Sequence, residues 1–119
     1  MTNDAAIDRL LPLPPAMFQI LMAVAPGELH GYAIIQDVAE RTKGDVRLSP
    51  GTLYRSIQRM LEDGLLRETA TRPAPRFDDE RRRYYAITPF GTRVARAEAR
   101  RLLGLVRMAR LQGLTTEGA

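Results

Sequence analysis

A chain of 119 residues, 45% of them apolar, is long enough to bury one core and remove about two thirds of its unfolded surface from water. It has no cysteine and one histidine, His30, which excludes disulfides, thiol chemistry and metal sites built on Cys and His ligands, so no metal or other cofactor is expected. No apolar run reaches the roughly 18 residues of a membrane span and no signal-peptide pattern opens the chain, which makes the cytoplasm the expected location. The net charge of +4 is unevenly placed: nine arginines against the single acid Glu98 between Arg81 and Arg110, but nine cations and twelve acids in residues 1–80. The basic half suits nucleic acid, whereas a DNA-reading segment in the first half cannot rest on charge alone.

Residues 1–14 carry little pattern and end in the run Leu11-Pro12-Leu13-Pro14-Pro15, which predicts a flexible N-terminal arm. From Pro15 to Ala25 the apolar residues Met17, Phe18, Ile20, Leu21, Met22 and Val24 cover every face of a helix, so this helix is central or shared with a partner chain. A second helix fits Gly31 to Thr42, with Tyr32, Ile35, Val38 and Ala39 at helical spacing and Lys43-Gly44 as its C-terminal turn. The short link to Leu48 forces the next helix to a steep angle, the arrangement of a helix-turn-helix.

That next helix has Ser49 as N-cap and Pro50 at its first position, and Gly64 stops it. Leu53, Ile57, Met60 and Leu61 fall on one side of the wheel; Thr52, Arg55, Arg59 and Glu62 fall on the other, flanked by Ser56 and Gln58. Arginine can bond guanine through two donors, and Ser, Thr and Gln can reach base edges or phosphates, so the outer side has the chemistry of a major-groove reader. An amphipathic helix that faces only water has the same pattern.

Beyond Gly64 the period shortens towards 2. Leu65–Thr69 and Arg82–Ile87 read as two strands of a hairpin, in which Tyr84 and Tyr85 point to opposite faces. The connection from Ala70 to Arg81, with Pro73, Pro75 and Asp78-Asp79, reads as a long polar loop that projects as a wing. Arg72, Arg76, Arg81, Arg82 and Arg83 around it suit phosphates or a minor groove, Asp78, Asp79 and Glu80 oppose this, and a merely solvated loop is the other reading. Thr88-Pro89 repeats the cap logic and opens a last helix to about Gln112, about 37 Å long at 1.5 Å per residue. Its apolar side, Val94, Ala95, Leu102, Leu105, Val106 and Ala109, is too long for so small a body to cover, whereas Arg93, Arg96, Arg100, Arg107 and Arg110 form its wet side. A second copy buries such a stripe most simply, with Phe18 and Met22 of the first helix joining it.

Three segments in order, His30-Gly31-Tyr32, Ser49-Pro50-Gly51-Thr52-Leu53-Tyr54 and Arg83-Tyr84-Tyr85-Ala86-Ile87-Thr88-Pro89-Phe90-Gly91, resemble the PadR family of transcriptional regulators over residues 16 to about 95. The resemblance, to compact members with a single C-terminal helix, implies a mainly α chain with a small β-hairpin, a winged helix-turn-helix followed by a dimerisation helix. Residues 15–88 are then the DNA-binding domain, 89–113 the dimerisation helix and 114–119 a flexible tail. It also implies a homodimer that represses transcription at an inverted-repeat operator in double-stranded DNA. Carried onto this sequence, it puts Gly31 and Tyr32 near phosphate, Thr52, Tyr54, Arg55 and Arg59 in or beside the major groove, and Arg83 on the wing. Arg55 stands where relatives often have proline.

The expected DNA-binding set is therefore Gly31, Tyr32, Ser49, Thr52, Tyr54, Arg55, Ser56, Arg59, Arg76, Arg82 and Arg83, with Tyr54 equally able to be packing only. His30 reads as a helix-start residue. The resemblance also allows a small aromatic or phenolic effector between subunits, for which Met17, Phe18, Met22 and Met108 are candidates, although their spacing fits plain core as well. The alternative function is a winged-helix module that binds a protein; no nucleophile with its base, phosphate loop or carboxylate pair suggests an enzyme.

Overall fold

The computed structural model describes residues 3–74 and 77–117, with side chains described for residues 4–69 and 82–117. In chain order these are α1 (Asn3–Asp8), α2 (Pro15–Val24), β1 (Leu29–His30), α3 (Gly31–Arg41), α4 (Pro50–Glu62), β2 (Leu66–Ala74), β3 (Phe77–Ile87) and α5 (Pro89–Leu111). Helix α2 is the centre. Its Ile20, Leu21 and Val24 are shut off from solvent, and it packs against α3, α4, α5 and β3. A helix apolar on all faces can be stable only where neighbours cover it, and here the same chain covers most of it and leaves Phe18 and Met22 half-buried.

Local sequence sets most helix starts. Ser49 Oγ accepts from Thr52 N (3.1 Å), and Thr88 Oγ accepts from Gly91 N (2.9 Å), each with proline at the next position. Pro15 likewise occupies the first position of α2. At the other ends, Gly44 and Gly64 turn the chain with φ of +84° and +77°, values that a side chain resists.

One junction ties the reading helix to the last helix. Thr88 Oγ1 donates to the carbonyl of Gly64 (2.6 Å), and Thr88 N donates to that of Leu65 (3.1 Å). Gly91 completes it, because a Cβ there would run into the Leu65 carbonyl oxygen.

Four features differ from the sequence expectations. Residues 1–14 do not form a loose arm throughout: residues 3–8 are helical, α1 contacts α5, and Ile7 and Leu13 enter the core. Their apolar side chains outweigh the lack of periodicity around the prolines. In α3 the buried line is Gly31, Ile34 and Val38; Tyr32 faces solvent and Ile35 is half-buried, a rotation permitted by the absence of a side chain at Gly31. The expected loop from Ala70 to Arg81 is mostly hairpin, with β2 reaching Ala74 and β3 starting at Phe77. Pro73 is compatible with this because the order β1-β3-β2 leaves β2 at the edge, where proline is tolerated. Finally, β1 is a third strand, pairing Leu29 with Tyr85 and His30 with Tyr84.

Candidate nucleic-acid interface

The exposed side of α4 carries Tyr54, Arg55, Gln58 and Arg59, with Thr52 half-buried at its N-terminal end. The opposite side, Leu53, Ile57 and Met60, fixes the helix in the core. Ser56 lies on that inner side at 9% exposure, so it is not part of the presented surface. Its i+3 spacing from Leu53 was the sequence signal for burial, masked by its polarity. Ser49 is exposed, and its hydroxyl is engaged with Thr52, both capping the backbone and donating to Thr52 Oγ1 (3.1 Å). Arg59 leans towards Asp63 (3.8 Å) with its side chain 69% exposed, a contact loose enough to be given up to another anion.

Beside α4 a hollow of about 330 Å³ is lined by His30, Gly31, Tyr32, Tyr54, Arg82, Arg83 and Tyr85. Three separate elements meet here. The N-terminus of α3 supplies the positive end of its dipole, β3 supplies two guanidinium groups, and α4 supplies a phenol. Tyr32 and Tyr54 are 60% and 52% exposed at its rim. Tyr54 comes this close only because residue 31 is glycine: its hydroxyl oxygen is 2.5 Å from where a Cβ would stand. Arg83 faces Glu68 across the ribbon at 3.9 Å, with the arginine side chain 70% exposed.

His30 is more than the start of a helix. Nδ1 accepts from Ala33 N (3.2 Å), Arg82 Nη1 approaches Nε2 (3.2 Å), and the ring meets Tyr84 edge to face at 5.3 Å. Burial first, and the Arg82 charge second, hold its pKa below 6.5. Nothing local in the sequence linked residue 30 to residue 82; the β1–β3 pairing does.

Of the expected DNA-binding set, Gly31, Tyr32, Tyr54, Arg82 and Arg83 come together in this hollow, and Thr52, Arg55 and Arg59 lie along the adjoining helix. Arg76 lies outside the described residues. The residues expected at a dimer interface divide. Leu105 and Val106 are exposed and Phe18, Met22, Leu102 and Ala109 half-buried, but Val94 is fully buried in the chain's own core and presents nothing to a partner. The four effector candidates are not brought together. Phe18 and Met22 line a hollow of about 370 Å³ between α2 and α5, Met17 is buried beside the N-terminal segment, and Met108 is exposed near the end of α5. Among the described residues no group of acidic or histidine side chains could hold a metal ion, and no helix is long and apolar enough to cross a membrane.

The family model of the transcriptional regulator PadR-like family matches residues 20–97. A transcriptional regulator of Mycobacterium tuberculosis is 38% identical over 84 residues, 71% of either chain. An uncharacterized 37.1 kDa protein in transposon TN4556 of Streptomyces fradiae is 36% identical over 104 residues, 87% of this chain; the chain spans about a quarter (26%) of that relative's length. Among solved structures, Bacillus subtilis PadR in complex with operator DNA has the same fold, with a TM-score of 0.63 and 19% identity over 72% of this chain and 47% of that one. Helix-turn-helix, three-stranded wing and long last helix thus coincide with a matched family model over most of the chain, and the protein belongs to the PadR-like family of transcriptional regulators, which are not enzymes.

Proposed function

We propose that this chain is a sequence-specific DNA-binding repressor that acts as a homodimer on an inverted repeat. The observation that carries the reading is the cationic hollow of Gly31, Tyr32, Tyr54, Arg82 and Arg83 set directly beside the exposed side of α4. A phosphate in that hollow would leave Thr52, Arg55 and Arg59 along the adjacent groove, so that one surface positions the duplex and the other reads it. The operator complex of the Bacillus subtilis relative supports this use of the fold. Residues 15–88 serve as the DNA-binding domain and 89–113 as the dimerisation helix.

A homodimer is supported by the second half of α5, where Leu103, Leu105, Val106, Met108 and Leu111 are exposed. A run of this size in water is best relieved by a second copy. The hollow between α2 and α5, with Phe18 and Met22 at one wall and Arg96 at the other, is the place for a small aromatic or phenolic effector. Such a ligand would release DNA by favouring a subunit spacing that mismatches half-sites about 34 Å apart.

The deciding experiment titrates the protein against the duplex upstream of its own gene and against random duplex, at two salt concentrations. Protection of one inverted repeat that persists at the higher salt is the expected result. Equal binding to both duplexes, lost with salt, would refute sequence-specific regulation and bring forward a protein partner.

A further inference from the structure

The His30 imidazole stands between two donors that belong to different parts of the fold. On one side is Ala33 N–H in the first turn of α3, and on the other the Arg82 guanidinium on β3. A neutral ring has one acceptor nitrogen, and an imidazolium has none. The tautomer protonated at Nε2 therefore accepts from Ala33 N–H, the tautomer protonated at Nδ1 accepts from Arg82, and a positive ring would serve neither. The surroundings agree: Tyr84 covers one side of the ring, Arg82 adds positive charge, and the remaining neighbours in the hollow are Tyr32, Tyr54, Tyr85 and Arg83. Among the described residues no carboxylate lines this hollow to balance a charged imidazole.

A free arginine on an edge of a ribbon samples many rotamers, and ordering it against a phosphate costs affinity. Arg82 is already ordered here, because the β1–β3 pairing sets residue 30 beside the strand that bears it. We infer that His30 is a positioning residue for DNA binding, which holds the Arg82 guanidinium at the mouth of the α3 hollow so that it meets the duplex backbone pre-arranged. This rests on the DNA-binding reading above. The role differs from capping, since any good N-cap residue would satisfy Ala33 N–H, whereas only a long side chain with a distal acceptor reaches Arg82.

The test is a double-mutant cycle with His30→Asn and Arg82→Ala, read as binding of the full-length protein to a random-sequence duplex at low salt. Asparagine keeps the cap of α3 and cannot bridge to β3. The expected result is a loss of about three- to tenfold for H30N in the wild-type background and no further loss in the R82A background. Equal losses in both backgrounds, or none in the first, would overturn the inference while leaving DNA binding intact. Failure of the unaltered protein to bind duplex would overturn the DNA reading and the inference with it. Ring-nitrogen NMR supplies an arm that needs neither DNA nor a change at His30: the R82A substitution should shift the Nε2 resonance of the free protein, and an unmoved resonance would show that the ring does not hold Arg82.

Discussion

The Tyr54 hydroxyl occupies the space that a side chain on residue 31 would need, with Gly31 in the first turn of α3 and Tyr54 at the start of the second turn of α4. The two helices of the helix-turn-helix are thus fitted together by a glycine and a phenol. Gly31→Ala should expel the exposed ring from the hollow and cost about 1 kcal/mol of stability, because the main obstruction is the free end of a solvent-facing side chain and the buried Leu53 Cδ2, 3.2 Å away, has only a little to give. Duplex affinity should fall by about 0.5–1.5 kcal/mol, the net worth of one hydrogen bond. Calorimetric titration with duplex and a thermal melt separate the two; a large drop in melting temperature would show that Tyr54 serves packing alone.

Arg59 and Arg83 should fail differently. Arg59→Ala is expected to cost about 1–3 kcal/mol on the operator and to relax base preference, whereas Arg83→Ala should weaken specific and random duplexes alike and lower the salt slope by about one. Competition binding across operator variants at several salt concentrations distinguishes these patterns. The same loss on every sequence for both variants would remove Arg59 from the reading surface.

His30 should make folding sensitive to mild acid. Its folded-state pKa is lowered from 6.5, by burial and then by Arg82, so the unfolded chain takes up the proton first as pH falls. The stability due to the neutral ring is complete above the unfolded value and is lost as the pH drops from there through the folded value. Among the described residues, Arg82, Arg83, Tyr32, Tyr54 and Tyr85 line the hollow with the ring, Tyr84 meets it edge to face, and Glu68 stands behind Arg83. Melting temperatures from about pH 7 to about pH 5 should therefore decline more steeply for the natural protein than for His30→Asn. Parallel declines would assign the acid sensitivity to other groups.

Gly91→Ala should be the most damaging small change. Its methyl group would press on the Leu65 carbonyl and on Ile87, and backbone cannot swing aside as the end of a side chain can. Destabilisation of about 1–3 kcal/mol, seen as a lower urea midpoint with unchanged slope, is the expected outcome.

The proposed dimer has its own test. Leu105→Glu and Val106→Glu alter side chains that the single chain leaves exposed, so the fold should persist while sedimentation shifts from dimer to monomer. An unchanged dimer would place the contact elsewhere.

The helix starts were legible because Ser49-Pro50 and Thr88-Pro89 are local signals, decided within four residues of chain. Gly31, Tyr32, Tyr54, Arg83 and Tyr85, which meet in one hollow, all lie in the three segments that carry the family resemblance, whereas Arg82 does not. What escaped was decided at a distance. Strand β1 is two residues long and exists only because Tyr84 and Tyr85 lie opposite it. Ser56 and Val94 were assigned outward roles, yet neighbouring elements cover them both. The tie between His30 and Arg82 spans 52 residues, and no pattern along the chain announces it.

The junction of Thr88, Gly64 and Leu65 makes a lever of α4 and α5. Thr88 grips the chain where α4 ends and caps α5 with the same hydroxyl, so neither helix can tilt without pulling on the other. A rotation of about 10° at that fulcrum carries the far end of a 13-residue helix, about 20 Å long, through about 3 Å, close to one base-pair step. For two copies docked through α5, the angle at which those helices cross thus sets, base pair by base pair, the distance between the half-sites they can grasp together.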